Sequence, residues 1–106
     1  HHMCTGAVGG VNVINREQFI NAGGLNTEII GWGSEDGEFC ARTRHLGLNW
    51  VSLDYPAFHL HHDSINREHL IVNEQRLNNF KIEQFAMDAT EEQIKKLVHT
   101  LRNFFV

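Results

Sequence analysis

The chain has 106 residues, 42% of them hydrophobic and 21% charged, with a formal net charge of −4 at pH 7. This composition is typical of one small globular domain and excludes a disordered chain. The charges are scattered without a lysine or arginine run, which argues against a nucleic-acid partner, and no apolar run reaches the roughly 18 residues of a membrane span. We interpret residues 1–3 as the remnant of a purification tag. So short a chain buries a limited core, which favours a neighbouring domain or self-association.

The chain contains two cysteines, Cys4 and Cys40. Two cysteines are too few for a disulfide framework, so we expect two reduced thiols. On this basis we expect a cytoplasmic location, with membrane association of the full-length protein as the alternative.

The first predicted elements are a strand and a short helix. Residues 7–14 are small and β-branched, which predicts a strand. Asn15, with Gln18 three positions later, has the pattern of a capping box and predicts a helix start. Gly23 and Gly24 are predicted to end that helix.

A glycine-rich loop leads to a second predicted helix. Ser34 is predicted to cap a helix over residues 35–46, and Gly47 to end it. Acidic residues in the first turn and arginines later suit the helix dipole. Residues 49–53 and 57–61 predict two more short strands.

The C-terminal segment is predicted to be helical. One helix begins at Ser64 or Asn66 and runs to about Phe80, with a further turn or two over residues 81–87. Thr90 opens a second capping box, which starts a helix that reaches Phe105. The apolar residues of this last helix recur at three- and four-residue spacing: Ile94, Leu97, Val98, Leu101, Phe104 and Phe105. We interpret that face as core, with docking on a missing domain or on a second copy as the alternative.

A pair of carboxylates follows a Gly-Trp-Gly loop. Glu35 and Asp36 lie in the first turn of the predicted helix, where the backbone N–H groups favour an ionised carboxylate. Such a carboxylate at the edge of a loop can act as a general base toward a hydroxyl. Trp32 lies between two glycines, and its indole is the kind of flat apolar face that stacks on a sugar ring. From residue types alone, ordinary helix capping remains the simpler interpretation.

The wider pattern contains Gly9-Gly10-Val11, Arg16-Glu17-Gln18-Phe19, Gly23-Gly24-Leu25, and Gly31-Trp32-Gly33-Ser34-Glu35-Asp36 with Arg42. It resembles the C-terminal, acceptor-side half of GT-A glycosyltransferases, most closely the β-1,4-galactosyltransferase-like and the bacterial chondroitin-polymerase-like groups. The resemblance covers roughly residues 9–62. It implies an α+β fold with a small sheet remnant, several helices and an incomplete nucleotide-binding half. Residues 4–63 would form the catalytic and acceptor segment, and residues 64–106 a helical C-terminal segment.

The resemblance implies roles for the residues around the loop. Asp36 would be the general base that takes the proton from the acceptor hydroxyl. Glu35 would hydrogen-bond the acceptor or brace the loop. Trp32 and Gly33 would line the acceptor pocket, on a loop that moves when the donor binds.

The resemblance also implies the reaction and its donor. Gly10 would let the backbone approach the donor sugar, and Glu38 matches an acidic position of the family, although Glu38 and Arg42 also suit a supporting role in the helix. The reaction would be an inverting transfer of a sugar from a nucleotide-sugar donor to a hydroxyl of a glycan acceptor, with a UDP-sugar as the first candidate donor. The chain lacks the Asp-x-Asp motif of the family. We therefore expect the missing N-terminal half of the same protein to be a partner, and the isolated chain to have weak or absent activity.

A histidine cluster, His59, His61 and His62, lies at the end of the last predicted strand. The resemblance implies that a histidine here completes a metal site for Mn²⁺ or Mg²⁺, with His59 as the first choice and His62 as the second. The cluster with Asp63 also resembles the start of the His-x-His-x-Asp signature of metallo-β-lactamase-fold hydrolases. A metal-dependent hydrolase is therefore one alternative. A non-catalytic carbohydrate- or protein-binding module, or a homo-oligomer joined through the C-terminal helix, is another.

Overall fold

The computed structural model describes residues 10–53, 56, 58, 60–61 and 72–103. Within these residues the chain forms four α-helices: α1 Arg16–Asn21, α2 Glu35–His45, α3 Asn73–Asp88 and α4 Glu91–Arg102. Helix α3 packs along α2, and α4 contacts both α1 and α2. The first turn of α2 therefore lies beside α3.

No strand occurs among the described residues, so the expected sheet remnant is not found there. The predictions of strands over 7–14 and 49–53 are wrong for their described parts, and residues 58, 60 and 61 of the third predicted strand are not in a strand either. The β-branched residues Val13 and Val51 are 93% and 71% exposed. A segment rich in β-branched residues forms a strand only when it can pair with a neighbouring strand and pack one face against a core. The described residues provide neither for these segments.

Local signals set both ends of α1, as the sequence predicts. The side chain of Asn15 accepts hydrogen bonds from the N–H groups of Glu17 at 2.9 Å and Gln18 at 3.2 Å. After the helix, Gly24 has a φ of 68° and donates its N–H to the carbonyl of Phe19 at 2.9 Å. Gly23 has a φ of 91°, so the glycine pair turns the chain where it was expected to turn.

The start of α2 differs from its prediction, whereas its end agrees. Ser34 has a φ of 71°, and its side chain makes no capping hydrogen bond, so the prediction of a serine cap is wrong. A capping side chain reaches the helix N–H groups from an extended backbone, and Ser34 is instead left-handed. At the other end Gly47 has a φ of 87° and donates to the carbonyl of Arg44 at 3.0 Å, which confirms the predicted stop.

Helix α3 continues past Phe80, where the sequence predicted an end. It runs without a break through Phe80 and Lys81, because no glycine or proline interrupts residues 73–88. The further helical turns predicted over 81–87 are present, but they continue the same helix. The predicted starts at Ser64 and Asn66 lie outside the described residues.

Helix α4 begins with the predicted capping box. The hydroxyl of Thr90 accepts from the N–H of Gln93 at 3.2 Å, and the Gln93 side chain accepts from the N–H of Thr90 at 2.8 Å. Ile94, Val98 and Leu101 are buried, which confirms the apolar face as core. Among the described residues, no helix has both the length and the apolar content required for a membrane crossing.

Two small apolar clusters hold the helices together. Ala41 of α2 packs with Ala86 and Met87 at the end of α3. A second cluster joins Ala89, Ile94 and Val98, with Leu46 packed against it. Ala86 and Met87 lie in the last turn of α3, and Leu46 follows directly on α2.

Cys40 is fully buried in α2 and forms a disulfide. The expectation of a reduced thiol is therefore wrong for this residue. The other cysteine of the chain, Cys4, lies outside the described residues. Because disulfides form and persist in oxidising compartments, Cys40 gives no support to a cytoplasmic location.

Candidate functional site

The candidate site consists of the loop before α2 and the first turn of that helix. Gly31, Gly33 and Ser34 all have left-handed backbones, with φ values of 80°, 102° and 71°. Three such residues in four positions bend the chain sharply around Trp32, and glycine adopts this conformation at little cost. Trp32 keeps 38% of its surface exposed. A large aromatic side chain is thus presented next to the helix start.

The loop is attached to α3 by Asn79, a residue that the sequence analysis missed. The Asn79 side chain is fully buried. Its Oδ1 atom accepts from the N–H of Ile30 at 3.2 Å, and its Nδ2 atom donates to the carbonyls of Ile30 at 2.8 Å and Trp32 at 3.4 Å. One amide therefore satisfies three backbone groups of the loop, which would otherwise lie unpaired beside α3.

Arg76 contacts the ring of Trp32 from the same helix. The guanidinium carbon lies 5.3 Å from the ring centroid, a distance typical of a cation–π contact. Arg76 is exposed and lies three residues before Asn79, so both side chains leave α3 on the same side. Trp32 is thus contacted by α3 at its ring and at its backbone.

The two carboxylates expected to do chemistry lie next to each other at the start of α2. Glu35 is exposed and Asp36 is half-buried. Burial raises the pKa of the Asp36 carboxyl, and the negative charge of Glu35 raises it further. An ionised carboxylate with a raised pKa binds a proton more strongly than a free aspartate does, which suits a proton acceptor.

A further carboxylate, Glu83, approaches this turn from α3. A Cβ atom added at Gly37 would overlap the Glu83 Oε2 atom, so a larger residue at this position would require the Glu83 carboxylate to move. Burial raises the pKa of Glu83, followed by the charges of Glu35 and Glu38. The sequence analysis missed Glu83, because only the packing of α3 on α2 brings it to this turn.

Glu38 and Arg42 form a buried ion pair one turn further along α2. Both residues are fully buried, and Arg42 donates to the two carboxylate oxygens of Glu38 at 2.8 and 3.1 Å. Arg42 also donates to the carbonyls of Ala22 and Gly24, the latter at 2.7 Å. Glu38 has no exposed surface with which to contact a sugar, so the geometry favours the supporting role over the binding role.

The remaining predicted residues are not brought to this turn by any described contact. Gly10 has a φ of 91° and open space around it. His59 and His62 lie outside the described residues. The described His61 is exposed, and within the described residues no three side chains of the histidine, cysteine, aspartate or glutamate type form a group that could hold a metal ion.

The family comparison covers the loop and the carboxylates. A family model described as the N-terminal domain of galactosyltransferase matches residues 2–63, more than half of the chain. The chain belongs to the galactosyltransferase family. The matched stretch ends before α3, so Arg76, Asn79 and Glu83 lie beyond it.

Curated relatives of this galactosyltransferase-family chain carry a consistent name. Beta-1,4-galactosyltransferase 7 of mouse and of human are each 29% identical over 86 residues, which is 76% of this chain and 25% of each relative. The Drosophila melanogaster protein of the same name is 44% identical over 41 residues, 39% of this chain and 13% of the relative. The chain thus spans about a quarter of the length of the mammalian relatives. No solved structure matches the chain significantly.

These matches confirm the galactosyltransferase-like resemblance and do not favour the hydrolase or the non-catalytic module. The matched model is described as an N-terminal domain, so the expectation of a C-terminal, acceptor-side half is not confirmed and stays a prediction. The roles of individual residues also stay predictions.

Proposed function

We propose that this chain is the acceptor-side catalytic segment of an inverting glycosyltransferase. The enzyme transfers a sugar, with galactose as the first candidate, from a nucleotide-sugar donor to an acceptor hydroxyl. One observation carries the proposal. The family match includes a half-buried aspartate, Asp36, that follows directly on an anchored loop with an exposed tryptophan. A base and a sugar-stacking surface are thus adjacent, as transfer to a hydroxyl requires.

In the proposed step, the acceptor sugar stacks on Trp32, and one of its hydroxyls donates a hydrogen bond to Asp36. The carboxylate takes the proton as the hydroxyl oxygen attacks the anomeric carbon of the donor. The bond between that carbon and the diphosphate oxygen breaks, and the nucleoside diphosphate leaves with the electron pair. Attack from the face opposite the leaving group inverts the anomeric centre. Glu35, exposed beside Asp36, hydrogen-bonds a second acceptor hydroxyl.

We propose Mn²⁺ or Mg²⁺ as the ion that neutralises the departing diphosphate, with His59 as the first and His62 as the second candidate ligand. Such hard cations favour about six ligands, most of them oxygens, and accept an imidazole among them. Two histidines supply only a minority of such a set, and the described residues contain no group that supplies the rest. The diphosphate, water and other parts of the protein would have to provide the remaining ligands. The proton transfer to Asp36 is proposed without reference to the ion.

The donor site is proposed to lie largely in protein segments beyond this chain, because the chain spans about a quarter of its mammalian relatives. The isolated chain is accordingly expected to bind acceptor but to turn over slowly or not at all. Saturation-transfer NMR with the methyl β-glycosides of xylose, glucose and N-acetylglucosamine tests acceptor binding. We expect at least one glycoside to bind to the chain and not to its Trp32→Ala variant. The matched control is Phe85→Ala, which removes an exposed aromatic residue of α3.

A segment exchange tests the chemistry. Residues 10–53 of this chain would replace the matching stretch of the mouse relative, and release of UDP from UDP-galactose would be measured with each glycoside. Asp36→Asn is expected to lower kcat by roughly 10²–10⁴-fold, the usual contribution of a general base. Glu17→Gln, which neutralises an exposed carboxylate of α1, is the matched control and should keep the activity. An active chimera that tolerates Asp36→Asn would refute the role of Asp36.

A further inference from the structure

The backbone around Trp32 is hydrogen-bonded by a buried amide of α3, the Asn79 side chain. The Asn79 side chain bonds one N–H and two C=O groups of residues Ile30 and Trp32, at 3.2, 2.8 and 3.4 Å. This contact needs two donors and one acceptor from one short side chain, which asparagine provides. Aspartate would keep the acceptor and lose both donors, and leucine would lose all three.

The ring of the same tryptophan is contacted one helical turn earlier. The Arg76 guanidinium lies 5.3 Å from the Trp32 ring centroid, and Arg76 is otherwise exposed on α3. Asn79 therefore bonds the loop backbone, and Arg76 contacts the indole ring. A separate contact between α3 and α2, the apolar cluster of Ala41, Ala86 and Met87, involves neither Asn79 nor Arg76.

We propose that Asn79 and Arg76 are positioning residues that keep Trp32 preorganised for binding an acceptor sugar. The inference rests on the proposed function, because it takes Trp32 as the stacking surface. Both residues act through Trp32, and neither is assigned a contact with substrate. A loop that is already ordered loses less conformational entropy when the ligand binds. Release of the loop is therefore expected to weaken acceptor binding by roughly two- to tenfold, the loss that corresponds to ordering one large side chain.

The experiment uses the whole chain labelled with 5-fluorotryptophan. Its ¹⁹F NMR spectrum should contain one signal each for Trp32 and Trp50, assigned with Trp32→Phe. Asn79→Leu and Asn79→Asp are expected to shift or broaden the Trp32 signal while the Trp50 signal stays in place. Asn78→Leu, on the exposed neighbour in α3, is the matched control and should move neither signal.

Because Asn79 is buried, its variants can fail to fold. Arg76→Met and Arg76→Lys therefore provide a second test at an exposed residue of the same helix. Methionine should move the Trp32 signal strongly and lysine less, since lysine keeps the charge without the planar group. In parallel, affinities for the three methyl β-glycosides are measured by NMR titration. Weaker binding in Asn79→Leu and Arg76→Met, together with a displaced Trp32 signal, supports the proposal.

Two results would overturn the proposal. One is a Trp32 signal that does not change in either Asn79→Leu or Arg76→Met, and the other is a displaced signal with unchanged glycoside affinity. A wild-type chain that binds none of the three glycosides refutes the acceptor site itself. In that case the ¹⁹F spectra alone decide whether α3 positions Trp32, so failure of the proposed function and failure of this inference are distinguishable.

Discussion

Replacing Arg42 by methionine is expected to remove much of the stability of the fold. The guanidinium is fully buried and donates to both carboxylate oxygens of Glu38 and to the carbonyls of Ala22 and Gly24. Methionine preserves most of the side-chain volume but leaves the Glu38 carboxylate buried without its partner. Loss of one member of a buried ion pair costs about 3–5 kcal/mol, against the roughly 5–15 kcal/mol that stabilise a whole domain.

Urea denaturation followed by far-ultraviolet circular dichroism measures this loss. A cost of that size also lowers the melting temperature by more than about 12 °C in a domain of this length. The matched control is Arg44→Met, an exposed arginine two residues further along α2, which should change stability by less than about 0.5 kcal/mol.

A double variant separates the ion pair from the packing. If Glu38 is also replaced by leucine, no carboxylate is left unpaired, and the double variant should be more stable than Arg42→Met alone by at least about 1 kcal/mol. The reasoning would be refuted if Arg42→Met lowered the free energy of unfolding by less than about 1 kcal/mol. It would also be refuted if Glu38→Leu destabilised the Arg42→Met variant as much as it destabilises the wild-type chain. Either result would mean that the pair contributes little to holding α2 against the turn before it.

Four further substitutions each change a single position. Thr90→Ala should cost about 1 kcal/mol, because it removes the N-cap of α4, and thermal melting would measure it. Gly23→Ala should cost roughly 1–3 kcal/mol in urea denaturation, because φ is 91° and the new Cβ would lie 2.8 Å from the Cβ of Leu101. Gly47→Ala, with a φ of 87° and open space, should cost less. Glu83→Gln should stabilise the fold at pH 7 by a few tenths of a kcal/mol. The folded-state pKa of Glu83 is raised, so this gain should vanish as the pH falls below its ordinary pKa of 4.5; a gain that persisted at pH 3.5 would contradict the assignment.

The helix boundaries that the sequence predicted correctly share one property. Asn15 caps α1, Thr90 and Gln93 form the box that opens α4, and Gly47 ends α2. In each case the bonding partners lie within about four residues along the chain. Such signals are complete in a short stretch of sequence, so they need no knowledge of the tertiary fold.

The residue pattern also predicted the loop at Trp32 and the helical position of the two carboxylates. Trp32 is exposed on a sharply turned loop, and Glu35 and Asp36 do lie in the first turn of a helix. The strands predicted over 7–14 and 49–53 are absent from their described residues, because strand pairing depends on a neighbour that the local sequence does not specify.

The sequence by itself thus determined the helix caps, the apolar face of α4 and the segment that carries the candidate base. Only the tertiary structure decided which residues of α3 reach that segment. Asn79 bonds a loop 47 and 49 residues earlier in the chain, and Glu83 occupies the space beside Gly37. The local sequence around a polar residue in a helix does not indicate which distant group it will hydrogen-bond. The physical reason is that its hydrogen bonds become favourable only after α3 has packed on α2 and excluded water from the contact.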